Sequence, residues 1–250
     1  REWAGQWEVK NLRVINPVAQ MPSFNGAGDL FLRLDGAVLQ GKFIAANNSG
    51  DITVAAKFDF AASEKSILTV SEAAMPWSGG KLSAQNVQIP ITNNASFDVS
   101  LKVAHVSANA LLQQFTGNRA SATGTISGTL PMTIKTDGVF VVRGGRLQAD
   151  TYGIIALSPD VIPGDHPQVA LVRDVLRDFH YTSLILNLSG GEGRLDVRMA
   201  LEGSNPEVQG GRPVKINMNL GGDMLNLVKE NLLWLTDPRK IIERGQNAKP

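Results

Sequence analysis

The sequence predicts a mainly β protein of antiparallel strands with few, short helices, and three observations predict it. Segment after segment alternates apolar and polar residues with period two, the mark of a strand with one buried face. Dipeptides such as Asp137-Gly138 and Gly144-Gly145 sit where the chain must reverse, and they supply the positive φ that tight turns require. Twenty-five Gly and twelve Pro beside only two Tyr and nine Phe describe many turns joining aliphatic strands.

Period two begins at Trp7 to Val14 and returns from Asp29 to Asp35, with Leu30, Leu32 and Leu34 on one face. From Ile52 to Phe60 it is cleaner: Ile52, Val54, Ala56, Phe58 and Phe60 face one way, and Asp51, Thr53, Lys57 and Asp59 the other. Asn47-Asn48-Ser49-Gly50 before it is a turn. Ser66 to Val70, Lys81 to Ile91 and Ser96 to Ala104 continue the series, the last with Phe97, Val99, Leu101 and Val103 opposite Asp98, Ser100 and Lys102.

Ser107 caps a short helix through Phe115, with Ala108, Leu111, Leu112 and Phe115 on one side. Next come strands at Thr125 to Ile134, Gly138 to Val142, Gly145 to Ala149 and Ile154 to Leu157. Pro131 cannot donate to a ladder, which puts it at an edge or a bulge. A second helix follows a cap at Asp165 or His166, with Pro167 in its first turn and Val172, Val175, Leu176 and Phe179 facing the sheet.

Tyr181 to Leu188, Arg194 to Glu202 and Val214 to Leu220 then form a meander, the first pair joined by a loop at Ser189 to Gly193. Asp223 caps a last amphipathic segment over 224–244, in which Leu233 and Trp234 widen the apolar arc. No long linker divides the 250 residues, so 1–250 reads as one β domain, and the opening Arg1-Glu2-Trp3, already close to a strand, reads as a piece of a longer chain.

Composition excludes several functions. A net charge of +1 without a Lys/Arg stripe argues against nucleic acid. With no Cys there is no disulfide framework, thiolate nucleophile or Cys-based zinc site. His105, His166 and His180 stand in no metal-binding spacing, and His180, read as ending a helix, is favoured there by the helix dipole. Gly124 to Gly128 lacks the nucleophile-elbow spacing, and Gly190 to Gly193 precedes a strand instead of a helix N-terminus. Neither a catalytic residue nor a cofactor site emerges, and the chain reads as no enzyme.

What remains is a repeated aliphatic face on at least eight strands with few helices to cover it. A second sheet covers such a face in a sandwich; an acyl chain can do so in an open groove. Aliphatic lining binds lipid tails by burial, at about 25 cal/mol per Å² of apolar area, and needs no directional polar contact.

The run GTISGTLPMTI, then VRGGRLQA, Tyr152-Gly153 and Ser158-Pro159, resembles a segment near the C-terminal end of the YdbH family, within the wider AsmA-like group of bacterial envelope proteins. A second match lies in LEGSNPEVQGGRPVKINMNL, Leu201 to Leu220. The resemblance implies a long antiparallel, strongly curved open sheet, a β-groove. It further implies a periplasmic component of intermembrane phospholipid transport, placed near the outer membrane, in a full-length protein anchored at the inner membrane. Small dicarboxylate transport, a label also attached to the family, would need a basic pocket, for which Arg143, Arg146, Arg194, Arg198 and Arg212 are the candidates. An envelope scaffold with a closed β core is the other alternative.

On this reading the lipid-groove candidates are Leu184, Leu186, Leu188, Leu195, Val197, Met199, Leu201, Ile216, Met218 and Leu220, with Phe97, Val99, Leu101 and Val103 in support. Each is otherwise an ordinary core residue. Met199 and Met218 carry flexible thioethers suited to varied acyl chains. The family implies a small outer-membrane lipoprotein that adds a strand to the open sheet edge, and the last strand, with Val214, Ile216, Met218 and Leu220, is the candidate edge.

Overall fold

The computed structural model describes residues 3–12, 23–33, 36–45, 50–61, 66–91, 95–135, 139–162, 167–191 and 195–222. The terminal segment at 224–244, the caps Asp165 and His166, and the turns at 47–49 and 137–138 lie outside them.

Alternation along the chain becomes fourteen strands: β1 (Trp3–Leu12), β2 (Phe24–Arg33), β3 (Gly36–Ala45), β4 (Ile52–Ala61), β5 (Ile67–Trp77), β6 (Gly80–Pro90), β7 (Ser96–Ser107), β8 (Ala120–Ala122), β9 (Thr125–Lys135), β10 (Phe140–Ala149), β11 (Gly153–Leu157), β12 (Phe179–Gly191), β13 (Leu195–Ser204) and β14 (Val214–Gly222). Two helices interrupt them, α1 (Ala108–Thr116) and α2 (Pro167–Val175). All fourteen strands join one antiparallel sheet with β1 at one end and β14 at the other. The sheet stays open, and no second sheet lies over it among the described residues.

The connectivity is a meander. β8 and β11 extend the β9–β10 hairpin: Ala149 lies opposite Ile126, and beyond a kink at Asp150 to Tyr152 Ile155 lies opposite Ala122. β12 runs along both halves of this bent strand, pairing β10 through Ile185 to Gly191 and β11 through Phe179 to Tyr181. Helix α1 is an excursion between β7 and β8, begun by the Ser107 hydroxyl, which accepts from the Ala110 amide at 3.2 Å.

Several expectations need correction. Gly144-Gly145 is no hairpin turn. β10 runs unbroken from Phe140 to Ala149, and the pair forms a bulge, with Gly144 at φ 110° and the register shifting against both neighbours. Of the two places open to Pro131, it takes the bulge and not the edge: it lies in an interior strand where the β9–β10 ladder is broken. Phe179 is not helical: α2 ends at Val175 and Phe179 opens β12. Strand β3 was missed altogether, because Gly36 and Gly41 dilute its alternation.

Cross-strand partners in antiparallel sheet share a face, so the register fixes which side chains lie together. One row runs Leu30, Leu39, Phe58, Leu68, Ile89 across β2 to β6. The next runs Gly26, Phe43, Val54, Ala73, Ala84. At the other end Leu147, Leu186, Met199 and Met218 are in line, as are Leu184, Leu201 and Ile216. The reverse face carries Asp29, Gln40, Lys57, Thr69 and Gln88, and farther on Thr129, Arg146, Asn187, Arg198 and Asn219. Bulges keep this division in phase: between Val103 and Val106 in β7, for example, His105 takes φ 52°, its amide donating to the Ser127 hydroxyl at 2.9 Å.

Candidate functional site

The apolar face is the candidate site, and its exposure divides it in two. Toward β14 it is filled from within the chain. Val175, Leu176 and Phe179, none more than 4% exposed, pack with Val103, Leu147, Leu184, Leu201 and Ile216. From the other helix Ala108 and Leu111 join the same cluster. Two smaller clusters continue it, Val142 with Leu195 and Val197, and Ala84 with Val87 and Val99.

The groove candidates therefore separate. Leu184, Leu195, Val197, Leu201, Ile216, Val99 and Val103 are buried at 8% exposure or less. Leu186, Leu188, Met199, Met218, Phe97 and Leu101 are half-buried against those clusters. Leu220 is in register with Val197, and its side chain lies outside the described part. The edge candidates Val214, Ile216, Met218 and Leu220 do lie on the last strand, which pairs with β13 alone among the described residues.

Sequence reasoning left β1 to β6 out of the site. Here Trp7, Leu30, Leu39, Phe43, Val54, Phe58, Leu68 and Val70 are half-buried along a continuous floor. Trp7 lies across it. Its indole Nε1 donates to the Asp29 and Gln40 carbonyls at 3.2 and 3.1 Å, and its ring centroid is 5.2 Å from that of Phe43. Gly41 makes room, since a Cβ there would meet the Trp7 ring at 2.4 Å. Alternation in β4 was legible, but the glycines that admit the ring read as interruptions.

Polar chemistry is sparse and sits on the other face. His105 Nδ1 lies 3.0 Å from an Asp150 carboxylate oxygen, which also accepts from the Thr125 hydroxyl at 2.6 Å. Burial pushes the Asp150 carboxyl up, but hydrogen bonds from Thr125, Ser127 and His105, with the His105 charge, outweigh it and hold it below its usual range. The group ties the β7 bulge to the β10–β11 kink. His180 belongs to β12, not to a helix end, and its ring lies 3.3 Å from the Asp178 carboxylate. Among the described residues no three His, Cys, Asp or Glu gather as a metal site. Arg143, Arg146, Arg198 and Arg212 are exposed, with Arg146 and Arg198 on either side of Asn187 on the polar face; Arg194 is outside the described residues.

No helix among the described residues is long and apolar enough to cross a membrane. A family model described as YdbH-like, intermembrane phospholipid transport protein YdbH, matches residues 45–244. No curated protein and no solved structure matches the chain.

Proposed function

The chain belongs to the YdbH-like family of intermembrane phospholipid transport proteins, and on that premise we propose that its apolar face carries phospholipid acyl chains. Lipid transport is the function that the family name states, and this family is not one of enzymes. The observation that carries the acyl-chain reading is a single open sheet whose apolar face holds half-buried Leu30, Leu39, Phe43, Phe58 and Leu68 over β2 to β5, with no second sheet above them among the described residues. Each methylene buried there contributes about 0.8 kcal/mol, so eight methylenes of one tail contribute about 6 kcal/mol. The headgroup stays in water, and the floor needs no specific polar partner.

On the same reading the protein works in the periplasm and is anchored at the inner membrane. β14, the last strand among the described residues, is the edge at which a small outer-membrane lipoprotein adds a strand, through backbone hydrogen bonds. An ordinary closed core, the alternative, would need a covering layer over β1 to β6. Dicarboxylate transport would need convergent arginines.

The test is mass spectrometry of lipids that co-purify with the chain expressed without detergent. Near-stoichiometric phospholipid is expected, and Leu68→Arg should reduce it at least fivefold with an unchanged circular dichroism spectrum. A folded, lipid-free protein that takes up no phospholipid from vesicles overturns the reading.

A further inference from the structure

We propose that α2 is an internal plug that ends the lipid path before β12 to β14, and that Asn205 is the positioning residue that seats it; the inference rests on the acyl-chain reading above. Val175 and Leu176 reach the same face that is half-buried at Leu39, Phe58 and Leu68, and there they occupy the volume an acyl chain takes elsewhere. Leu176 is fully buried against Leu184, Leu201 and Ile216.

One polar side chain at the seat is Asn205. Asn205, 4% exposed, donates through Nδ2 to the carbonyls of Asp174 and Val175 at 3.1 and 3.0 Å, the orphan acceptors of the α2 C-terminus. Its Oδ1 accepts from the Glu207 amide at 2.9 Å, so the amide is oriented as well as bonded. A backbone bond from Leu157 N to Leu176 O at 2.8 Å is a second tie. A nine-residue helix is marginal in water, so its position depends on such ties and on the apolar contacts beneath it. Acyl chains and α2 therefore compete for one surface, and Asn205 sets the balance.

Photo-crosslinking distinguishes the two zones. A benzoylphenylalanine at Leu68 reports the open floor, and one at Met218, half-buried against the plugged cluster, reports the sealed part. With phosphatidylethanolamine–phosphatidylglycerol vesicles, the wild-type background is expected to crosslink lipid at Leu68 at least tenfold more than at Met218. Asn205→Ala, and separately the milder Val172→Ala on the inward side of α2, should each raise the Met218 yield at least threefold and leave Leu68 unchanged. Equal yields in the wild-type background overturn the plug, as does a Met218 yield that stays low in folded Val172→Ala. Lipid crosslinks at neither position overturn the acyl-chain reading itself.

Discussion

The Tyr181 hydroxyl donates a 2.7 Å hydrogen bond to the carbonyl of Thr123, and this contact spans the kink between β8 and β9. Tyr181 is 1% exposed, and Gly124 and Gly153 flank its ring, where a Cβ on either would approach the hydroxyl to 2.7 or 2.5 Å. The ring thus packs into the kink between the two halves of the long hairpin.

Tyr181→Phe should lower stability by about 1–3 kcal/mol, because the Thr123 carbonyl loses its donor in a buried place. Burial, and then the negative charge of Asp150, push the Tyr181 hydroxyl above its usual 10. The neutral form is therefore favoured by the fold, and its contribution is complete below pH 10 and lost as pH rises through the folded value. Urea midpoints at pH 9 and pH 11 should fall more steeply for the wild-type chain than for the variant.

Asp150→Asn should weaken the junction of β7 with the β10–β11 kink, by no more than about 1 kcal/mol since the pair faces solvent. The carboxyl is held below its ordinary 3.8, so its contribution is present above that pH and disappears as pH falls through the lower folded value. The two chains should differ in urea midpoint at pH 7 and converge at the acid end of the titration.

Gly144→Ala should cost about 1–2 kcal/mol through backbone strain alone, since no atom lies within 4 Å of the added Cβ and φ is 110°. Denaturant unfolding reads the cost, and hydrogen exchange should show it concentrated at β10.

Trp7→Ala should release the β1 edge while leaving the α2 end intact. The indole bridges two backbone carbonyls of β2 and β3, so its loss should speed amide exchange in β1 to β3 at least tenfold, with β12 to β14 unchanged.

Strands with long runs of alternation, such as β4, β7 and β13, were legible in the sequence because one residue in two is apolar and the other set is mostly polar or charged. The Ser107 cap was legible for a local reason: its partner is three residues away. Gly144-Gly145 misled because the same positive φ serves a turn and a bulge, and only the neighbouring strands decide between them. The site was half visible. Register across strands is nonlocal, so the sequence could mark apolar faces but not show that α2 covers Leu184 and Leu201 while Leu68 and Phe58 stay half-exposed.

The meander also governs how the chain reaches this state. From β1 to β7, and again from β12 to β14, each strand pairs with the strand made immediately before it. Loop closure is therefore short at almost every step, the arrangement that favours rapid folding. A chain emerging end first can zip one strand at a time onto a growing template, with the last-formed edge always ready for the next. Folding of this kind has no fixed length, and strands can be added or lost in pairs without redesigning what is already assembled.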